Sequence, residues 1–205
     1  MTKTQTYLIR SKKQLAALAA AARQEIVDVL DQMGTVSVVE LAAALGRPAD
    51  ALYFHLRVLM GVGLVQSAGY RPRRGGKEAL YRTVAPELQL KYEPLNAANR
   101  KGVSAIVASM LRLANRDFGR SFQPRNVVVS GAHRELWSLR KVARLSRAQL
   151  AQLNQRIKGL VQDISAPKGH GRLYAVTVLL TPLDHRNNIE GSARPKQKMS
   201  QGRKE

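Results

Sequence analysis

Apolar residues recur at steps of three and four over 14–33, at Leu15, Leu18, Ala22, Ile26, Val29, Leu30 and Met33. That spacing predicts one amphipathic helix, stopped by Gly34. Ser37-Val38-Val39-Glu40 has the form of a capping box, in which the Ser hydroxyl accepts from the Glu40 amide and the Glu carboxylate reaches back to the Ser amide. The short helix it opens ends at Gly46, and Arg47-Pro48 makes a turn because proline biases the preceding residue away from helix. A third helix is expected over 49–60, ended by Gly61-Val62-Gly63. A short β-competent stretch over 64–67, a loop over 69–76 holding Pro72, and a returning strand over 78–84 follow. Three helices and then a hairpin with a basic tip is the order of a winged helix-turn-helix.

Pro86 and Pro94 punctuate 85–95, which places a domain boundary there. Beyond it the pattern predicts a helix over 96–118, a strand over 126–133, a helix over 146–164 and a fully apolar strand over 173–180. From Asp184 on, the chain is polar and basic without periodicity, so disorder is expected. The expected fold is therefore mainly α with a small β component (α+β). It comprises a winged helix-turn-helix over 1–84, a small α+β dimerisation or effector domain over 96–183, and a disordered basic tail over 184–205. The amphipathic helices over 14–33 and 96–118 are the expected dimer surfaces, since neither can bury a full apolar stripe on one small domain. Trp137, beside Leu136 and Leu139, is expected in the core.

The third helix has two unlike faces. Leu52, Leu56 and Leu59 share one side, whereas Asp50, Tyr53, Phe54 and Arg57 share the other. A surface of two aromatics and an arginine that the core does not need suits the major groove, where Arg pairs with guanine and aromatic rings pack on thymine methyls or sugars. The plainer alternative is a three-helix bundle with Tyr53 and Phe54 filling a neighbouring interface. His55 lies nearer the core side and is expected as a packed, hydrogen-bonded histidine.

Charge narrows the class of partner. The chain has 34 Lys+Arg against 14 Asp+Glu, a net charge of +20. Such an excess attracts polyanions, nucleic acid first and anionic membrane second. It is spread along the chain, with 12 basic and 6 acidic residues in 1–84, 16 and 5 in 85–183, and 6 and 3 in 184–205. It is densest in Tyr70-Arg-Pro-Arg-Arg-Gly-Gly-Lys77, where Arg71, Arg73, Arg74 and Lys77 repel one another unless an anion is near. A hairpin tip so charged reaches backbone phosphate or the minor groove. Ser37 and Arg47, at the two ends of the second helix, complete the expected phosphate set. Arg140, Lys141, Arg144 and Arg147 form a second cluster, read equally as an extension of the DNA track or as a solvated helix face.

Residues 20–84 resemble the ArsR-like winged-helix regulators. The carriers are Arg23-Gln-Glu-Ile26 with Leu30, Glu40-Leu41-Ala42 with Leu45-Gly46, and His55-Leu56 with Leu59 and Gly63-Leu-Val65. The resemblance implies a homodimer on a near-palindromic operator, often a repressor released by an effector. Leu52-Tyr-Phe-His-Leu56 is similar to the branch with an appended carboxy-terminal domain, although no motif there names a ligand. Two departures stand out. The cysteines of the metal-sensing members have no counterpart, and Pro48 and Tyr53 stand where the family often has Ser, which implies a different operator.

Other classes find little footing. With no cysteine, thiolate metal sites, disulfides and thiol redox sensing are absent, which fits a cytoplasmic protein. No apolar run approaches a membrane span. The histidines His55, His133, His170 and His185 are scattered without HExxH spacing, and no close carboxylate pair offers acid–base chemistry. Gly75-Gly76-Lys77 lacks the spacing of a phosphate-binding loop. No enzyme, metal or cofactor is expected. The partners expected are double-stranded DNA, a second copy and an effector of unknown kind, with no membrane. The competing reading is an RNA-binding or ribosome-associated winged-helix protein, which the charge equally permits.

Overall fold

In a computed structural model the described residues are 6–123, 127–165 and 171–183. The protein is a mixed α+β chain dividing into two compact units, Met1–Ala175 and Val176–Glu205. In the second unit the described residues, 176–183, carry no regular secondary structure. The tail over 184–205, with His185, lies outside the described residues, as do His170 and Asn126.

The first unit opens with β1 (Thr6–Ile9), α1 (Lys12–Leu18) and α2 (Ala21–Met33). The single helix expected over 14–33 is thus two helices, broken at Ala19-Ala20. The break is stabilised by Arg23, whose guanidinium donates to the Ala17 carbonyl at 2.7 Å and the Ala16 carbonyl at 3.3 Å, satisfying acceptors that the end of α1 leaves open. A capping box also starts α1. The Gln14 amide donates to Ser11 Oγ at 3.1 Å, and the Ser11 amide to Gln14 Oε1 at 3.4 Å. The Gln14 amide group, itself buried, then donates to Tyr7 Oη at 2.8 Å and the Val62 carbonyl at 3.0 Å.

β2 (Val36–Ser37), α3 (Val38–Leu45) and α4 (Asp50–Gly61) follow, then β3 (Val65–Arg73) and β4 (Gly76–Thr83). The three strands form an antiparallel sheet in the order β2-β4-β3. The expected loop over 69–76 is mostly strand, because Arg73 pairs with Gly76 and only Arg74-Gly75 turn. Pro72 is tolerated because β3 is an edge strand. A one-residue irregularity between Ser67 and Tyr70 is accommodated by Gly69 at φ 88°.

β5 (Glu87–Leu90) pairs in parallel with β1, from Thr6 opposite Glu87 to Ile9 opposite Leu90, a pairing that the sequence pattern does not announce. Asn96 then caps α5 (Ala97–Arg120), accepting from the amides of Ala98 and Asn99 at 3.0 and 3.1 Å. Buried Asn99 holds the crossing before it, accepting from the Glu93 amide and donating to the Lys91 carbonyl.

Packing runs across the 85–95 segment. Val103 and Ile106 of α5 join the same core as Ile26, Leu30, Leu41 and Leu56. This corrects the expected dimer surfaces, because the buried stripe of α5 lies on α1 and α2 of its own chain. The approach is close. A Cβ on Gly102 would sit 2.9 Å from Leu15 Cδ1 and 3.0 Å from Leu15 Cβ.

The last helix, α6 (Arg147–Ser165), buries no residue. Neither expected strand forms. The described residues of 126–133 turn at Gly131 (φ 78°), and 173–180 pairs with no other described strand. Trp137 is exposed, not in the core, with the Arg134 guanidinium 4.2 Å from its ring centroid. Among the described residues, no helix is long and apolar enough to cross a membrane.

Gly102→Ala should therefore lower the unfolding free energy by about 1–3 kcal/mol through overpacking. Gly119→Ala in the same helix, where a Cβ meets nothing within 4 Å, should be neutral or gain up to about 1 kcal/mol. Denaturant melts of the two variants check this contrast.

Candidate nucleic-acid interface

Leu52, Leu56 and Leu59 are 0%, 1% and 0% exposed and hold one side of α4 against the core. Asp50, Tyr53, Phe54 and Arg57 are all exposed on the other side, Tyr53 at 47% and Phe54 at 58%. The bundle alternative, with both rings sealed in an interface, is absent from this chain. His55 sits between the faces, its ring edge-on to Phe54 with centroids 5.5 Å apart. Burial, and then the charges of Arg23 and Arg47, hold its imidazole below the ordinary histidine value. Its Nδ1 is buried without a hydrogen-bond partner among the described residues, which corrects the expectation of a hydrogen-bonded ring.

The turn before α4 depends on Gly46, whose left-handed conformation (φ 60°, ψ 37°) lets the Arg47 amide return to the Ala42 carbonyl at 3.0 Å. Arg47 itself is half-buried and paired with Glu25, whose other carboxylate oxygen accepts from Arg116 of α5. Its charge is therefore engaged inside the protein, which corrects its place in the phosphate set. Ser37 is corrected for a similar reason. It is buried, its Oγ accepts from the Glu40 amide at 3.3 Å, and its own amide donates to Glu40 Oε2 at 2.7 Å.

The four hairpin cations divide one against three. Arg71 donates to Glu78 Oε1 and to Glu40 Oε1, each at 2.8 Å, joining the hairpin to the capping residue of α3. Arg71 is held above its ordinary value by Glu40 first and Glu78 second. Glu40 is held below the usual carboxylate range by the Ser37 amide and then Arg71, and Glu78 by Arg71 foremost. Arg73, Arg74 and Lys77 are exposed around the turn and make no ion pair among the described residues. Their charge remains available to an anion.

An open cleft of about 570 Å³ is lined by Tyr53 of α4 and by Tyr70, Tyr81, Arg73, Lys77 and Glu78 of the hairpin. The Tyr81 phenol is pushed up by burial first, and then by Tyr53 and Tyr70. Tyr70 and Tyr81 were not singled out by the sequence pattern. Their common face follows from the register, in which Tyr70 opposes Ala79 and Tyr81 lies two residues further along β4. The irregularity at Ser67/Tyr70 hides that register in the sequence. Of the second basic cluster, Arg140, Lys141 and Arg144 lie in an irregular exposed segment, and Arg147 opens α6. They do not share a helix face, which removes that alternative.

Glu40 and Glu78 have folded-state values below their unfolded ones. Their stabilisation is complete above the ordinary carboxylate range and is lost as pH falls through the lowered values. Acidification should release the hairpin from α3 before the helices unfold, and Arg71→Gln should produce the same release at neutral pH. Amide NMR shifts of β3 and α3 check both outcomes. The sequence matches no protein-family model and no curated protein, so the role of this surface rests on its own side chains.

Proposed function

We propose that this chain is a sequence-specific, double-stranded DNA-binding transcription regulator. In this reading residues 1–84 form a winged helix-turn-helix, α4 is the recognition helix and β3–β4 is the wing. One observation carries it: the outward side of α4 presents Tyr53, Phe54 and Arg57 bare, while its three leucines satisfy the core. A groove about 12 Å wide admits such a helix, and Arg57 can pair two-pronged with a guanine edge. Asp50 lies in the first turn of α4, where it favours the helix dipole and can accept from a cytosine amino group. Arg73, Arg74 and Lys77 would neutralise phosphates beside the groove, with Tyr70 and Tyr53 against sugar or base edges.

The protein would act as a homodimer, its two recognition helices about 34–36 Å apart, one DNA turn. The repressor role and the effector implied by the ArsR-like resemblance remain part of this proposal, with the cytoplasm as its site of action.

Selection from a random duplex library should yield a two-part, near-palindromic site. On that site Arg57→Ala should weaken binding by roughly 5- to 150-fold, from the 1–3 kcal/mol of a bidentate base contact, and should relax preference at one position per half-site. Tyr53→Ala should also cost specific affinity more than non-specific affinity. Replacing Arg73, Arg74 and Lys77 together by Ala should weaken all duplexes alike and flatten the salt dependence by about 0.9 in log–log slope per phosphate lost. Fluorescence anisotropy over a salt series measures these effects. Equal losses from α4 and wing variants, or structured RNA outcompeting duplex DNA at matched salt, would overturn the reading.

A further inference from the structure

After β5 the chain stops burying its apolar side chains on itself. The stripe on α6, comprising Leu150, Leu153, Ile157, Leu160, Val161 and Ile164, has no buried member. Before the helix, Trp137 and Leu139 are 70% and 73% exposed, and Val142 and Leu145 are exposed as well. After it, the run 173–180 holds Leu173, Tyr174, Val176, Val178, Leu179 and Leu180, all exposed. We propose that α6 and the apolar runs on either side of it in sequence form the surface through which two copies of this chain associate.

The amount of surface fits that occupant. Between Val128 and Leu180, sixteen large apolar side chains are exposed among the described residues. At roughly half of the 150–250 Å² that a large side chain can bury, they leave on the order of 1,000 Å² in water per copy. A stable interface takes about 800 Å² from each partner, whereas a monomer rarely exposes an apolar patch above a few hundred.

The chemistry selects among occupants. DNA offers charge and base edges, not a match for an aliphatic stripe. A bilayer surface would take α6, but the polar positions of this helix are mostly Gln and Asn, with Arg147, Arg156 and Lys158 its only cations. Nor can lipid hydrogen-bond the backbone of 173–180, which has no partner strand among the described residues. A run apolar on both faces has the composition of a central strand and needs neighbours that supply backbone groups. A second copy supplies an identical run and an identical helix across a twofold axis.

Charge agrees. In a chain of net charge +20, the run 173–180 and the α6 stripe contain no ionisable group except Tyr174, so two copies meet there without like-charge opposition. Association through this surface stands independently of the DNA reading, and no nucleic acid is needed to see it.

Sedimentation velocity of the full chain without DNA should show a species of twice the 22.6 kDa chain mass. Leu160→Glu with Ile164→Glu should convert it to single-chain mass, while the thermal unfolding of the α1–α5 core stays in place. Leu111→Glu with Phe118→Glu, on the exposed part of α5, should leave the doubled mass intact. Because the chain has no cysteine, a spin label at Gln155→Cys reads the contact without disrupting it. Dipolar coupling between labels should appear and should vanish on dilution with unlabelled chain. Single-chain mass at all concentrations, a doubled mass that survives the α6 substitutions, the absence of coupling, or a monomer that floats with phospholipid vesicles would overturn the proposal.

Discussion

Three leucines on one side of α4 fix the rotation of that helix about its axis. Each contributes about 1.5–3 kcal/mol when fully buried, so turning the helix enough to hide Tyr53 or Phe54 would expose at least one of them at comparable cost. The outward surface is therefore not a residue of imperfect packing. It is what remains once the core has taken Leu52, Leu56 and Leu59, and everything proposed for α4 follows from that orientation.

Two carboxylates keep the surroundings of α4 in place. Glu40 caps α3 through Ser37 and also receives Arg71 from the hairpin, so the start of one helix and the position of β3 share a single side chain. Glu25 of α2 joins Arg47, in the turn before α4, to Arg116 near the end of α5. Both arrangements use cations that composition alone would have counted towards a polyanion. The free charge at the hairpin is correspondingly smaller and more localised, at Arg73, Arg74 and Lys77. These neighbouring charges repel one another, and an anion between them relieves that repulsion.

The two halves of the chain contrast in how they treat apolar surface. Up to α5, helical stripes meet partners within the chain, closely enough that Gly102 faces Leu15 without room for a Cβ. Past α5, comparable stripes remain in solvent. The described residues there are anchored mainly by polar contacts, as where Glu135 accepts from the Val128 amide, Arg172 and Tyr174 at 2.8–2.9 Å. Such bonds fix local shape and remove little apolar area from water.

By itself, the sequence determined what depends on neighbours along the chain. The capping box at Ser37 and Glu40, the stop at Gly46 and the division of α4 into a leucine side and an aromatic-basic side all follow from spacing of three or four residues, and the structure keeps them. Contacts between distant residues were not determined in this way. The break between α1 and α2 depends on where Arg23 can reach, and the β1–β5 pair joins residues some eighty positions apart. The roles of Arg47, Arg71 and Ser37 turned on partners that periodicity does not specify. In the same way, the apolar pattern of 173–180 shows what that run needs, whereas only a three-dimensional neighbour decides whether it becomes a strand, since a strand requires hydrogen bonds from another segment.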